Sequence, residues 1–302
     1  MRTDYRETRR WAYRLFLDRE PENDAVLLEP VKDTRSLREA FLNPPEFRER
    51  NPDGFAGPDC WVIKESVHGF RIRVSLSELG ISRPILRDAY DPNECALLKR
   101  EITEGDCVYD IGTNIGFYSL LCATLVGPSG RVIGFEPIEY LFQAASSSIR
   151  ENRFQDFVHI NQVAISDTRG TAKIRHAPHT TNFGGGHLVH DSATPPNHID
   201  ALVEMRPLDD FPNERSVRLI KIDVEGAEPR VIQGAGALLR RDRPLILAEL
   251  HNAQLAKVSA SSATAFIATM RSNGYACTRI DTLSEIHSYD LDDPINVLFR
   301  PV

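Results

Sequence analysis

The sequence predicts an α/β protein: a Rossmann-like, mostly parallel sheet flanked by helices, preceded by a small helical module. Short apolar segments alternate with helical segments over residues 107–272, which is the pattern of right-handed βαβ units. Leu245–Leu250 is almost continuously apolar, as is typical of a parallel strand buried on both faces. A turn-rich segment at 51–58 separates this alternation from the residues that precede it.

Composition restricts the class of protein. The chain has 302 residues, 41% of them hydrophobic, and a formal net charge of -7. This mild acidity disfavours nucleic acid and anionic membranes as partners, and the longest apolar runs are far shorter than the ~20 residues of a membrane span. The charged N-terminus lacks the apolar core of a secretion signal. The five scattered cysteines have no CxxC spacing, so we expect reduced thiols in a cytoplasmic protein.

The first 55 residues predict a helical module. Two apolar stripes at helical spacing consist of Trp11, Leu15 and Phe16, and of Leu37, Phe41 and Leu42. We therefore expect one domain at 1–55 and a second at 56–302, which opens with a β-hairpin at about 60–77.

The second domain divides into alternating elements. We expect strands at 107–111, 131–135, 157–163, 217–222 and 244–250, and helices at 92–101, 115–126, 138–152, 226–240 and 258–272. Tyr275–Ile280 and Ile295–Phe299 predict a final antiparallel pair. The segment 176–200, rich in His, Gly and Pro, shows no clear strand pattern and is interpreted as a long loop.

The strongest signal for function is the turn after the first strand of the sheet. Asp110 ends an apolar strand, and Gly112, Asn114 and Gly116 follow before a helix begins. The spacing is DxGxNxG, whereas dinucleotide-binding turns have GxGxxG. An acid here would repel a diphosphate but suits the ammonium group of an amino-acid ligand. The turn therefore favours S-adenosylmethionine (SAM) over NAD.

Two further positions are candidates for contacts with the adenosine part of such a ligand. Glu136 ends the second strand, where an acid commonly accepts both ribose hydroxyls. Ala164 follows the third strand, in the region that borders the adenine. NAD-dependent enzymes have an equivalent acid that binds the ribose hydroxyls. Glu136 therefore supports an adenosine-containing ligand but does not distinguish SAM from NAD.

Candidate catalytic residues follow the last two parallel strands. Asp223 and Glu225 come after a buried strand, and Asp223 is also a candidate cofactor ligand. His251 alternates with Glu249 and is expected at the same edge of the sheet. We rank His251 first as the base, then Asp223, then Glu225.

The ordered segments DIGTNIGFYS, GFEP, LIKIDVEGAE and RPLILAEL resemble the FkbM family of SAM-dependent methyltransferases. The resemblance covers roughly residues 85–255. It implies a class I methyltransferase fold and O-methylation of a sugar, glycan or secondary metabolite. It also implies SAM contacts at Asp110, Gly112, Asn114, Gly116, Glu136 and Asp223. The N-terminal segments YRLFLDREP and FLNPPEF are similar to a helical module joined to bacterial surface-glycan enzymes, which points to a glycan acceptor.

Alternatives remain open. An NAD-dependent oxidoreductase would share the sheet and Glu136, and a non-catalytic, glycan-associated binding protein would use the N-terminal helices. Five histidines at 176–200 leave a metal possible, but a flexible segment makes a poor metal site. We expect no metal, and we interpret 176–200 as a mobile lid over the acceptor pocket.

Overall fold

The computed structural model describes residues 6, 9–10, 12–13, 20–28, 61–76, 78–177, 185–189, 194–195, 198–211 and 214–302. The chain divides into two compact units, one of residues 1–61 with 75–77 and one of residues 62–74 with 78–302. No helix within the described ranges combines the length and apolar character needed to cross a bilayer.

In the first unit, residues 6, 9–10 and 12–13 are helical, where the first N-terminal helix is expected, and the short helix α1 (Asp24–Leu28) follows. Asn23 begins it, because the Asn23 side-chain oxygen accepts hydrogen bonds from the amides of Ala25 and Val26. The expected second N-terminal helix and the expected boundary between residues 55 and 56 lie outside the described residues.

The predicted hairpin consists of β1 (Trp61–Glu65) and β2 (Arg71–Ser75), and all but Trp61 and Ser75 of these strands belong to the second unit. Two helices follow it, α2 (Ser82–Leu86) and α3 (Pro92–Glu101). Pro92 opens α3, where its missing amide hydrogen costs nothing.

A seven-stranded sheet forms the centre of this unit. Its strands are β3 (Cys107–Ile111), β4 (Arg131–Phe135), β5 (Val158–Asn161), β10 (Val217–Ile222), β11 (Leu245–Leu250), β12 (Tyr275–Arg279) and β13 (Ile295–Pro301), in the spatial order β12-β13-β11-β10-β3-β4-β5. The first five of these in sequence are mutually parallel, and β13 runs antiparallel to both of its neighbours. The predicted Rossmann-like, mostly parallel sheet with an antiparallel final pair is confirmed.

Helices cover both faces of this sheet. They are α4 (Phe117–Val126), α5 (Glu139–Glu151), α6 (Glu228–Gln233), α7 (Gly236–Asp242), α8 (Asn252–Ser259) and α9 (Ala263–Ser272). The single helices expected at 226–240 and 258–272 are wrong: Gly234 separates α6 from α7, and the left-handed Ala260 (φ 48°) ends α8. Gly234 lies so close to the Ser166 carbonyl that a Cβ would come within 2.0 Å of that oxygen.

A second sheet consists of four strands, β6 (Ala164–Ile165), β7 (Gly170–His176), β8 (His187–Val189) and β9 (Ile199–Arg206), in the order β6-β9-β7-β8. It includes three parts of the segment expected to be a loop: the end of β7, the whole of β8 and the start of β9. The strand expected at 157–163 is therefore too long, and the absence of strands expected for 176–200 is wrong. A bidentate pair between Arg175 and Asp200, at 2.8 and 3.0 Å, joins β7 to β9.

Candidate active-site cleft

A cleft of about 340 Å³ lies at the carboxyl ends of β3, β4, β10 and β11. Between β3 and β10 the strand order reverses, because β4 and β5 continue to one side and β11 to the other. Ligands of open α/β sheets bind at this kind of switch point. The cleft thus lies where the sequence predicts a ligand.

The turn after β3 contributes Gly112 and Asn114 to the lining, whereas Asp110 and Gly116 are not among the residues that line the cleft. Asp110 is buried beneath the turn, where its Oδ2 accepts a 2.6 Å hydrogen bond from the Ser119 hydroxyl. Burial raises the pKa of Asp110, and the nearby Lys221 ammonium opposes this shift. Asp110 is therefore placed to support the turn from below.

Packing within the protein explains the two glycines. A Cβ on Gly112 would lie 1.9 Å from the Asp223 carbonyl oxygen, and one on Gly116 would lie 3.1 Å from the Ala145 Cβ. Both residues also have positive φ, of 83° and 94°, which favours glycine. Contacts within the protein and the backbone conformation thus account for glycine at both positions.

Glu136 lines the cleft directly after β4. Its two carboxyl oxygens accept hydrogen bonds of 2.8 Å from the backbone amides of Asn114 and Ile138. Burial raises the pKa of Glu136 to about 7, and the two amide hydrogen bonds oppose that shift. The carboxyl group is held in one orientation, with unused lone pairs available to further donors.

Lys221 is a central residue of the cleft that the sequence reasoning missed. It pairs in register with Asp110 across β10 and β3, and its Nζ donates a 3.0 Å hydrogen bond to Asp223 Oδ2. The ammonium also lies 4.6 Å from the centre of the Tyr118 ring. Burial lowers the pKa of Lys221, but the carboxylates of Asp223 and Asp110 outweigh this and the net shift is upward.

The turn after β10 brings Asp223 and Glu225 to the cleft, as their positions predict. Burial and the Asp223 carboxylate raise the pKa of Glu225 to about 8. Beneath this turn, Glu228 Oε1 accepts 3.2 Å hydrogen bonds from the amides of Val224 and Gly226. Burial raises the pKa of Glu228 to about 7. Glu228 therefore fixes the backbone that carries both candidate acids.

The end of β11 places Glu249 in the cleft but not His251, which is absent from the residues described along its walls. The strand ends at Leu250, and His251 becomes the residue that precedes α8. The strand therefore ends one residue before His251, and the alternation expected to place His251 on the same side as Glu249 does not extend to it. Burial raises the pKa of Glu249 to about 8.

Other lining residues divide the cleft into two chemically different ends. The polar end includes Asp91, Glu94, Tyr118 and Asn296 beside Lys221, Asp223, Glu225 and Glu249. The apolar end is lined by Ile138, Leu141, Val163, Ile165, Ile174 and Leu188, with Ala164 beside them. Lys221 and Asn296 pair in register with acids of the neighbouring strands, Asp110 and Glu249 respectively, and this register is a property of the fold that the sequence does not signal.

Among the described residues, no group of three or more His, Cys, Asp or Glu side chains is arranged to hold a metal ion. Of the five histidines at 176–200, His179 and His190 lie outside the described residues. His176 is buried at the end of β7, whereas His187 and His198 belong to or adjoin the other strands of the small sheet.

Residues 110–277 match the family model described as "Methyltransferase FkbM domain". The matched segment is more than half of the chain and includes the end of β3 and the whole of β4, β10 and β11.

A curated relative, the 31-O-demethyl-FK506 methyltransferase FkbM of Streptomyces tacrolimicus, is 29% identical over 161 residues. The alignment covers 44% of this chain and 61% of that protein. The chain thus spans less than two thirds of the length of this relative.

Two solved methyltransferase structures also match this chain, at low similarity. A methyltransferase FkbM from Methylobacillus flagellatus KT has a TM-score of 0.43 and 13% identity, and the match covers 98% of this chain and 60% of that one. A Pyrococcus abyssi tRNA (uracil-54, C5)-methyltransferase in complex with S-adenosyl-L-homocysteine has a TM-score of 0.42 and 10% identity, with 81% and 45% covered.

Proposed function

Because this chain belongs to the FkbM methyltransferase family, we propose that it transfers the methyl group of SAM to a hydroxyl group of a sugar, glycan or secondary metabolite. The family match confirms the resemblance that the sequence motifs predict. The observation that carries the proposal is the cleft at the switch point of the sheet, which joins an apolar end to a polar, carboxylate-rich end across Glu136.

The residues of the cleft fit SAM. Glu136 would accept the ribose hydroxyls, since its carboxyl group is already oriented by two backbone amides. Gly112 and Asn114 would border the amino-acid part, whose ammonium suits a carboxylate-rich surface. When bound, SAM supplies an electrophilic methyl group on a sulfonium. The chain itself holds the two reactants in line, which is the main contribution of a protein to methyl transfer.

Asp223 is our candidate for the group that accepts the proton of the hydroxyl. It lines the cleft, and its Oδ2 accepts a 3.0 Å hydrogen bond from the Lys221 ammonium, which orients the carboxyl group. Glu225 and Glu249 lie in the same end, but burial favours their protonated forms. This choice replaces His251 as the first candidate, because His251 does not reach the described cleft.

Two observations support a neutral hydroxyl acceptor over an anionic one. The charged residues that line the cleft are six carboxylic acids and one lysine: Asp91, Glu94, Glu136, Asp223, Glu225, Glu249 and Lys221. The single cationic side chain among these lining residues, Lys221, is paired with Asp223, so the cleft offers little to a phosphate group, which argues against nucleic acid. The relative from Streptomyces tacrolimicus is named for a compound that lacks an O-methyl group, which supports oxygen as the acceptor atom.

We also propose a cytoplasmic location. The cysteines in the described part of the chain, Cys95, Cys107, Cys122 and Cys277, are free and buried, which suits a reducing compartment.

The first experiment measures the thermal midpoint of the full chain with S-adenosylhomocysteine (SAH) and, separately, with NAD. SAH should raise the midpoint and NAD should not, because a ligand that binds the native state stabilises it by mass action. The reverse result would favour the oxidoreductase alternative, and no response to either ligand would favour a binding protein.

Transfer itself is tested with SAM that carries a labelled methyl group. The full chain is incubated with panels of neutral glycans and polyketide alcohols, and the label is located by mass spectrometry. Label on oxygen supports the proposal, whereas label only on nitrogen would overturn the choice of a hydroxyl.

A further inference from the structure

The apolar end of the cleft is built from both sheets. Val163 and Ile165 follow β5, and Ile138 and Leu141 belong to the start of α5. Ile174 and Leu188, on β7 and β8 of the small sheet, form the opposite side. These two side chains are only 6% and 8% exposed, so the small sheet is an integral wall of the cleft.

Gly186 brings the small sheet close to the cleft floor. A Cβ added to Gly186 would lie 2.7 Å from Ile138 Cδ1 and 3.7 Å from Ile174 Cγ2. There is no space for a side chain between the start of β8 and Ile138. The glycine therefore sets the separation of the two walls.

His187 anchors this part of the small sheet to α8. Its Nε2 accepts a 2.8 Å hydrogen bond from Lys257 Nζ, and its Nδ1 donates a 3.0 Å hydrogen bond to the Gly185 carbonyl. One tautomer, with the proton on Nδ1, satisfies both contacts. The wall that carries Leu188 is thereby held at a defined position over the cleft.

We propose that the small sheet, through Ile174, Gly186 and Leu188, forms the outer wall of the adenine subsite. The inference rests on the proposed function. Adenine is the flat, weakly charged part of SAM and matches the apolar end, while Glu136 beside it suits the ribose and the acidic end suits charged groups. The proposal assigns Gly186 and Leu188 to cofactor binding, whereas the sequence pattern predicts that segment 176–200 is a lid over the acceptor.

The test is calorimetric titration of SAH into the full chain carrying Leu188→Ala, with Leu202→Ala as the matched control. Leu202 lies on β9 of the same small sheet but is 72% exposed, so its truncation removes the same atoms outside the cleft. Leu188→Ala should weaken SAH binding about tenfold, because apolar area in contact with the base is lost. Leu202→Ala should bind as the unmodified protein does.

Titration of a second ligand, adenosine, shows which part of SAH contacts Leu188. Adenosine, titrated in competition with SAH, should lose the same factor in Leu188→Ala, because both ligands carry the same adenosine group. Leu188→Met, which keeps an apolar side chain of similar volume, should restore most of the affinity. A loss confined to SAH would place Leu188 at the amino-acid end and overturn the proposal.

The remaining outcomes separate the two hypotheses. If the unmodified chain binds no SAH, the proposed function fails. If it binds SAH but Leu188→Ala matches Leu202→Ala in affinity, the adenine wall is wrong and the proposed function stands. If Leu188→Ala does not fold, Gly186→Ala provides the same test. The Cβ of the new alanine would displace Ile138 toward the adenine and should also weaken SAH binding.

Discussion

Glu136 illustrates how single side chains prepare the cleft. Both carboxyl oxygens are committed to backbone amides, one in the turn after β3 and one at the start of α5. The group thus ties two loops together and keeps its orientation before any ligand arrives. Pre-organisation of this kind reduces the ordering that binding must otherwise bring about.

Replacing Glu136 with Gln should weaken SAH binding at least about tenfold, since hydrogen bonds to a charged acceptor contribute roughly 1.5–3 kcal/mol. Calorimetry on the full chain measures the change. Glu139→Gln is the matched control, because Glu139 is exposed on α5. Equal affinity in the two variants would remove Glu136 from the cofactor site.

Glu228 predicts a pH dependence of stability. Burial raises its pKa to about 7 from an ordinary value of 4.5, so the native protein holds this proton more tightly than the unfolded chain does. The stability contributed by the proton is fully present below about pH 4.5 and is lost as the pH rises through about 7.

Glu228→Gln lacks this proton equilibrium, so its unfolding free energy should improve relative to the unmodified protein between pH 5 and about 7.5. Urea unfolding at several pH values measures the difference. Glu204→Gln, an exposed position on β9, is the control and should give a pH profile parallel to that of the unmodified protein. A parallel profile for Glu228→Gln as well would contradict the prediction.

Residues adjoining strands were the easiest to predict. Asp223, Glu225 and Glu136 were found because each follows an apolar segment, and parallel strands deliver such residues to one edge. Lys221 was missed because a lysine inside a strand looks like an exposed residue, and its burial depends on Asp110 in a neighbouring strand. His251 does not line the described cleft for the opposite reason: its expected position depended on where β11 ends, and strand ends are poorly defined by sequence.

At the scale of elements, the contact of the β3 turn with the β10 turn is the tightest in the cleft. Gly112→Ala should destabilise the protein by about 1–3 kcal/mol more than Gly69→Ala. Both glycines have similar φ, 83° and 86°, but a Cβ on Gly69 would meet nothing within 4 Å. The difference in unfolding free energy therefore isolates the collision with Asp223, and equal values would show that the turns can separate.

The buried strands of the large sheet were predictable, because their apolar residues leave no solvent face. The small sheet was not. Only the last three residues of β7 are buried, and β8 is too short to show a period. The left-handed residue at the break is Ala260, and alanine gives no sequence signal for this conformation.

For the molecule as a whole, the sequence predicts that residues 1–55 are dispensable for cofactor binding. The described lining residues all fall between Gly80 and Asn296. A chain that begins at residue 56 should keep the SAH affinity of the full chain within about twofold, because few contacts are expected to cross a turn-rich linker. Calorimetry tests this, and loss of binding by a folded, soluble truncated chain would show that the first residues complete the cleft.

In the sheet β13 lies between β11 and β12, although it follows both in the sequence. The sheet can therefore be completed only after β13 has been synthesised. β12 is synthesised first, yet it has no strand partner in the sheet until residues 295–301 emerge and insert beside β11. During this interval a growing chain exposes the unpaired edge of β11 and the apolar face of β12, surfaces that favour aggregation. Asn296 on β13 also lines the cleft. The polar end of the cleft is therefore completed only after β13 has been synthesised, and a ligand cannot guide the folding of the earlier segments through that contact.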